Sequence, residues 1–212
     1  MSEYEELLKI IQQGDFMGTQ NLVKALLDQG NSPNQIIQKG IIVALDIVGK
    51  KFSSGECYIP EMLVAAKAAQ KGLDILRPLV AMEGFKPKGK IIIGTVKGDL
   101  HDIGKNIVAM MLESAWFAVI DLGYDVPPEK FVKAITTENA QILAMSCLIT
   151  TTMISMKYTM DAIREAGLYG KVKIMIGGPP ITDDFAKKIG ADFRGKDAYE
   201  AVKQAERFIS SL

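Results

Sequence analysis

The sequence is poor in the residues that build covalent or metal scaffolds: it has two cysteines, Cys57 and Cys147, and one histidine, His101. Two thiols cannot make a disulfide framework, and with one imidazole they do not supply the four ligands of a structural zinc site. The chain reads as a reduced, cytoplasmic protein. Neither charge is in surplus, since 25 Lys and Arg face 25 Asp and Glu. A bulk binder of nucleic acid needs a basic excess to displace counterions, so the balance argues against that partner and leaves room only for a local patch. No apolar run approaches the ~20 residues of a membrane-spanning helix. The acidic start, Met1-Ser2-Glu3-Tyr4-Glu5-Glu6, lacks the basic and apolar regions of a signal peptide. Internal repeats and low-complexity tracts are also missing. What is present is ordinary globular composition: 212 residues, 48% hydrophobic and 24% charged. That is too apolar for disorder, and at about 150 residues per domain it makes one large or two small domains.

The pattern changes character near residue 87. Before it, apolar residues recur at helical spacing. Glu5 to Ile11 is a short helix. Asp15 caps a second, with Thr19, Leu22, Val23, Leu26 and Leu27 on one face and Gly30 as its stop. Ser32-Pro33 reads as an N-cap followed by proline at the first helical position, ahead of the stripe Ile37, Ile41, Ala44, Leu45, Val48. Pro60 opens a fourth helix with the stripe Met62, Ala66, Ala69, Leu73, Leu76, Val80, which Pro78 is expected to kink or shorten. Residues 1–87 are therefore expected to form a four-helix bundle, closed by the linker Phe85 to Lys90.

Residues 88–212 alternate between strand and helix patterns. Strands are expected at Lys90 to Gly94, Phe117 to Leu122, Ile142 to Ser146, Val172 to Ile176 and, weakly, around Asp192. Helices are expected at Gly104 to Ala115, Pro127 to Glu138, Thr151 to Ala166, Asp183 to Ile189 and Ala198 to Ile209. Five β-α units in sequence imply a parallel sheet with helices on both faces, and the flavodoxin-like strand order 2-1-3-4-5 is the default. In that order a ligand binds beyond the carboxyl ends of strands one and three.

That rule points to the loop after strand one, Gly94 to Asn106, which holds the only histidine. Ser146, Leu148 and Thr150 to Thr152 follow strand three, and Gly177-Gly178 end strand four. An imidazole, several hydroxyls and a glycine pair would thus share one rim. Each has a plainer reading. A loop histidine is usually a surface residue, a Gly-Gly-Pro-Pro run is a turn, and hydroxyls before a helix cap it. The Met153, Met156, Met160 stripe reads as core. Asp121 could bind a ribose, but no G-x-G-x-x-G precedes it, and the Walker pattern is missing too. Two details favour a functional histidine. Gly98 and Gly104 bracket the loop, and Asp99 lies two residues before His101, where a carboxylate could hold the second ring nitrogen of a metal-ligating imidazole.

At these residues the sequence resembles a known family. Asp99-Leu100-His101-Asp102-Ile103-Gly104 matches the D-x-H-x-x-G signature of cobalamin-binding domains, Ser146-Cys147-Leu148 the family's S-x-L, and Gly177-Gly178 its G-G. Gly49 to Glu56 and Tyr58 to Leu63 are similar to the helical cap of the methyltransferase branch. The resemblance covers nearly the whole chain and is strongest to stand-alone corrinoid proteins of anaerobic methyltransferase systems. The cobalamin domain of methionine synthase is more distant. Pro179-Pro180 departs from the Ala-Pro pair common after G-G, and Phe193 to Lys196 is also less familiar.

The resemblance implies an α/β cobalamin-binding domain at 88–212 beneath a helical cap at 1–87, with the corrin ring between them. It implies that His101 replaces the cofactor's nucleotide tail as the lower ligand of cobalt, that Asp99 hydrogen-bonds His101, and that Ser146 extends that relay. The tail would thread beside Gly177, Gly178 and Ser146. Gly98, Asp102, Ile103, Gly104, Leu148 and Thr150 would complete the cofactor site, and Phe52 and Ile59 would shield the methyl face. The implied function is a carrier of methyl groups on cobalt rather than a complete enzyme. A substrate-specific barrel methyltransferase would load it with methyl from methanol, a methylamine or a methoxylated aromatic. A second methyltransferase would unload it to tetrahydrofolate or a thiol, and a reductive activator would rescue it. The alternative is a cobalamin-dependent regulatory sensor or photoreceptor, although such proteins usually carry a DNA-binding domain. A mutase domain would lack this cap, and a receiver module needs an Asp where Ser146 ends strand three.

Overall fold

A computed structural model describes residues 3–82, 84 and 86–211; Phe85 of the expected linker lies outside them. The chain divides into two compact units, Met1–Pro87 with Glu113–Trp116, and Lys88–Leu112 with Phe117–Leu212.

In the first unit, α1 (Glu3–Gln12) buries Leu7 and Ile11. The helix α2 (Phe16–Asp28) starts where the Asp15 carboxylate accepts from Gly18 N–H at 2.8 Å. Ser32 caps α3 (Pro33–Ile36), which runs through a π-helical turn (Ile37–Ile41) into α4 (Ile42–Ser54). Gly55, at φ 80°, ends α4 in the left-handed conformation that glycine adopts without steric cost. The long α5 (Ile59–Met82) places Ala65, Ala66, Ala68, Ala69 and Gly72 on its buried side. Such small residues let neighbouring helices come close: a Cβ on Gly72 would stand 3.0 Å from Ile41 Cδ1 and 3.3 Å from Thr19 Cγ2.

Two details differ from the sequence reading. Of the two outcomes expected at Pro78, a kink or a shortening, shortening does not occur: α5 continues to Met82. Pro78 and Asp74, whose carbonyl loses its helical partner, are both exposed, so water can satisfy it, while buried Leu76 and Val80 hold the helix in place. The third helix carries the unforeseen π turn, where Ile36, Ile37, Gly40 and Ile41 are buried in close succession.

The second unit is a parallel sheet of β1 (Lys90–Thr95), β2 (Ala118–Asp121), β3 (Ile142–Ser146), β4 (Lys173–Gly177) and β5 (Phe193–Gly195), in the order β2-β1-β3-β4-β5. The last strand begins one residue after Asp192. Asp192 itself accepts from Ile174 N–H at 2.8 Å. The connecting helices are α6 (Ile103–Ser114), α7 (Pro128–Glu138), α8 (Met153–Glu165), α9 (Asp183–Ile189) and α10 (Ala198–Ser210). Ile92, Phe131, Leu143, Met156, Met160 and Ile174 are fully buried in one core of this unit, so the methionine stripe is core. Among the described residues no helix is long and apolar enough to cross a membrane.

Candidate functional site

The strand register levels one edge of the sheet. Thr95 pairs with Ser146, Ser146 with Gly177, and Gly177 with Gly195. The loops after β1, β3 and β4 therefore start from a common height, at the carboxyl ends where parallel sheets bind ligands.

Asp99 is the anchor of this edge. It is fully buried, and five donors converge on its carboxylate. Oδ1 accepts from His101 N–H at 3.1 Å and faces His101 Nδ1 at 2.7 Å. Oδ2 accepts from Leu148 N–H at 2.7 Å, Ile149 N–H at 3.4 Å and the Thr152 hydroxyl at 3.0 Å. Burial pushes this carboxyl up, but the Leu148, His101 and Thr152 hydrogen bonds outweigh it and hold the group well below the usual carboxylate range. Ionised, it can only accept, so Nδ1 of His101 is the donor. That fixes the tautomer and leaves Nε2 with a free lone pair on a side chain that is 53% exposed. The Thr95 hydroxyl donates to the His101 carbonyl at 2.9 Å and ties the loop back to the sheet.

The hydroxyl hydrogen-bonded to Asp99 is that of Thr152; among the described residues no hydrogen bond joins the side chain of Ser146, which ends β3 and was expected to extend the relay, to Asp99. Thr152 ends the 3₁₀ turn Thr150–Thr152 and occupies the N-cap position of α8 without capping it, because its hydroxyl is turned to Asp99. Buried Cys147 lies beside it, with Sγ 3.2 Å from Thr152 Oγ1, and burial raises its thiol. Three threonines in a row offered the sequence no means of choosing among them.

The remaining sequence candidates fall into two groups. Gly98, Asp102, Leu148 and Gly178 lie in the rim loops after β1, β3 and β4, while Ile103 and Gly104 open α6, Thr150 opens the 3₁₀ turn and Gly177 ends β4. Asp102 is occupied locally, accepting from Asn106 Nδ2 at 3.1 Å. Phe52, half-buried in the last turn of α4, and Ile59, 48% exposed at the start of α5, belong to the first unit. The Asp121 carboxylate is engaged within the protein, paired with the buried Lys105 ammonium and accepting from Gly123 N–H at 2.8 Å.

The residues present suit a corrinoid. Leu100, Leu148 and Ile149, in the loops joined by Asp99, and Ile103, at the start of α6, are apolar yet exposed, which suits the face of a large macrocycle. A Cβ on Gly104 would meet nothing within 4 Å, and one on Gly177 would meet only Gly195 O, at 3.5 Å. The fold does not require glycine at either position, so both are places where a missing side chain makes room. Gly178 is different. Its φ is 133°, and a Cβ there would lie 1.8 Å from the Cys147 carbonyl, so this glycine serves the protein's own backbone. Among the described residues no three His, Cys, Asp or Glu side chains gather as a metal site. A single imidazole suits an ion that brings its other ligands in its own ring.

A family model described as a B12 binding domain matches residues 89–203, and a second, also described as a B12 binding domain, matches residues 3–77. The chain belongs to the B12-binding family. Its cofactor is a corrinoid. Among family members, trimethylamine corrinoid protein 1 of Methanosarcina mazei is 41% identical over 85% of this chain and 84% of its own length. The dimethylamine corrinoid protein of Methanosarcina barkeri is 38% identical over 97% of this chain and 99% of its own. Among solved structures, a chain of the methanol:cobalamin methyltransferase complex MtaBC from Methanosarcina barkeri superposes with a TM-score of 0.88 at 28% identity. It covers 99% of this chain and 80% of that one.

Proposed function

We propose that this corrinoid protein carries a methyl group between two methyltransferases, and that Nε2 of His101 would be the protein's ligand to its cobalt. The bound corrinoid supplies a metal that accepts a methyl group and gives it up. The protein's own residues set how the imidazole meets it. The observation that carries the reading is the hydrogen-bonded chain from buried Thr152 through buried Asp99 to Nδ1 of the half-exposed His101, which leaves Nε2 without a hydrogen-bond partner among the described residues, on an apolar, glycine-relieved rim. Outer hydrogen bonds of this kind orient a metal-ligating histidine and raise its basicity. Held at Nδ1 by the Asp99 carboxylate, the imidazole would present Nε2 to the metal in one fixed orientation.

The methyl donor is read as a methylated amine or alcohol, in line with the names of the relatives. Activation of that donor is assigned to a partner barrel methyltransferase. Onward transfer goes to a second methyltransferase acting on tetrahydrofolate or a thiol, and a reductive activator restores oxidised cofactor. The free, buried Cys57 and Cys147 fit a reducing cytoplasm.

The test is electron paramagnetic resonance of the Co(II) protein after loading with hydroxocobalamin. With ¹⁵N-histidine labelling the superhyperfine pattern should change, since His101 is the only histidine. His101→Ala should abolish the labelled-nitrogen coupling and leave the corrinoid base-off or loosely held. A labelled coupling that survived in His101→Ala, or a wild type without one, would exclude His101 as the ligand.

A further inference from the structure

Asp99 has two attachments. Its carboxylate is gripped from the β3 side, but its backbone is gripped from another element, the connection between β2 and α7. There Asp125 takes a left-handed conformation at φ 52°, which asparagine and aspartate tolerate better than other side chains. Its own N–H donates to the Asp99 carbonyl at 3.0 Å. Its Oδ1 accepts from Gly98 N–H at 2.8 Å, and its Oδ2 faces Lys97 Nζ at 3.1 Å. Flanking bonds from Thr95 N–H to Gly123 O (2.9 Å) and from Val126 N–H to Thr95 O (3.0 Å) lay the two segments side by side. Gly98 is itself left-handed, at φ 85°, so the loop turns at the residue whose N–H Asp125 holds.

We propose that Asp125 is a positioning residue for His101, clamping the Gly98–Asp99 backbone so that the Asp99 carboxylate stays in register with Nδ1. Among the described residues no hydrogen bond joins the Asp125 side chain to the imidazole or to the Asp99 carboxylate. It acts through the peptide that carries Asp99, and the effect reaches His101 as a choice of tautomer. Without the clamp the Nδ1–H···O bond lengthens, and the ring proton moves to Nε2, the tautomer that free histidine favours and the one that cannot donate a lone pair from Nε2. The proposal rests on His101 being the ligand only for its consequence. The tautomer effect itself is a property of the protein without cofactor.

The experiment uses the full-length, cofactor-free protein with ¹⁵N-labelled histidine. The single histidine yields one pair of ring nitrogens, recorded at a pH where the ring is neutral. Wild type should show a protonated Nδ1 and a bare Nε2. Asp125→Gly keeps the left-handed backbone at no steric cost but deletes the carboxylate, and it should shift weight toward the Nε2–H form. Asp125→Asn keeps an acceptor for Gly98 N–H and should restore the wild-type shifts. Corrinoid affinity should fall about 10-fold in Asp125→Gly, the low end of what a metal ligand loses with an outer partner. A folded Asp125→Gly with wild-type nitrogen shifts would overturn the proposal. So would an Asp125→Asn that is as perturbed as Asp125→Gly, or an Asp125→Gly that does not fold, because the residue would then serve the fold rather than the imidazole. If the loaded wild type lacks histidine coupling in its Co(II) spectrum, the ligand assignment fails while the tautomer result stands.

Discussion

At the scale of single residues, the ionised Asp99 sets the protein's response to acid. An unfolded chain protonates this carboxyl near its ordinary value of 3.8, whereas the folded protein resists to a much lower pH. Between the two values the unfolded state binds the extra proton, so stability rises with pH there. The contribution is complete above about pH 5 and is lost as pH falls through that window. Asp99→Asn removes the charge and turns an amide NH₂ toward donors on one side or the other. At neutral pH this should cost about 2–3 kcal/mol, a charged hydrogen-bond set replaced by a frustrated one. In a protein of this size that is a Tm lower by about 5–10 °C. Corrinoid affinity or methyl transfer should also drop about 10–100-fold. Thermal unfolding at a series of pH values checks the first claim: the gap between wild type and Asp99→Asn should narrow below pH 4. A gap that stayed constant down to pH 2.5 would show that Asp99 is not the linked group.

At the scale of elements, the site is assembled from the ends of β1, β3 and β4 and the first turn of α6. Gly104 is the second residue of α6, and open space surrounds the position its Cβ would take. Gly104→Ala should therefore stabilise the cofactor-free protein, by up to about 1 kcal/mol from helix propensity. If the macrocycle lies against that turn, the same methyl group should weaken corrinoid binding. A urea midpoint that rises while the Kd for hydroxocobalamin also rises is the expected pair of results; an unchanged Kd would remove Gly104 from the cofactor surface. Gly178→Ala should behave oppositely and lose the fold, because its new methyl would collide with the Cys147 carbonyl. The sequence could not separate these glycines, since both reasons for glycine leave the same letter. Order and type of the elements were legible, because period-2 and period-3.6 patterns, the Asp15 and Ser32 caps and the β-branched strands all agree with the fold. The π turn was not, as one extra residue barely disturbs the stripe around Ile37 and Ile41. The motif located His101 and Asp99, but the partners Thr152 and Asp125 come from other β-α units. Their roles depend on where a hydroxyl turns and on a left-handed backbone, neither of which spacing encodes.

At the scale of the whole molecule, the hydrogen bonds that fix His101 are made by Thr95, Gly98, Asp99, Asp125, Leu148 and Thr152, and all of these residues belong to the second unit. That unit also has its own core, from Ile92 through Phe131 and Met160 to Ile174. A fragment of residues 88–212 should therefore fold and keep the bare Nε2, with the same ring-nitrogen shifts as the full chain. It should also be less stable. Glu113–Trp116 groups with the first unit, and Trp116, 5% exposed, donates its indole N–H to the Lys86 carbonyl at 3.2 Å. Cutting at Pro87 removes that acceptor and uncovers an indole, at a cost of about 2–3 kcal/mol. Ligand linkage then shows where binding energy resides. A ligand at 100 times its Kd stabilises its host by about 2.7 kcal/mol. If the site lies wholly in the second unit, fragment and full chain should gain the same increment from the same free corrinoid concentration, and their Tm values should rise in parallel. A fragment that folds by circular dichroism but gains nothing would show that residues 1–87 complete the site. A smaller but real gain would measure their share of the binding energy, and a fragment with wild-type nitrogen shifts but weak binding would assign that share to contacts with the corrinoid rather than to support of His101.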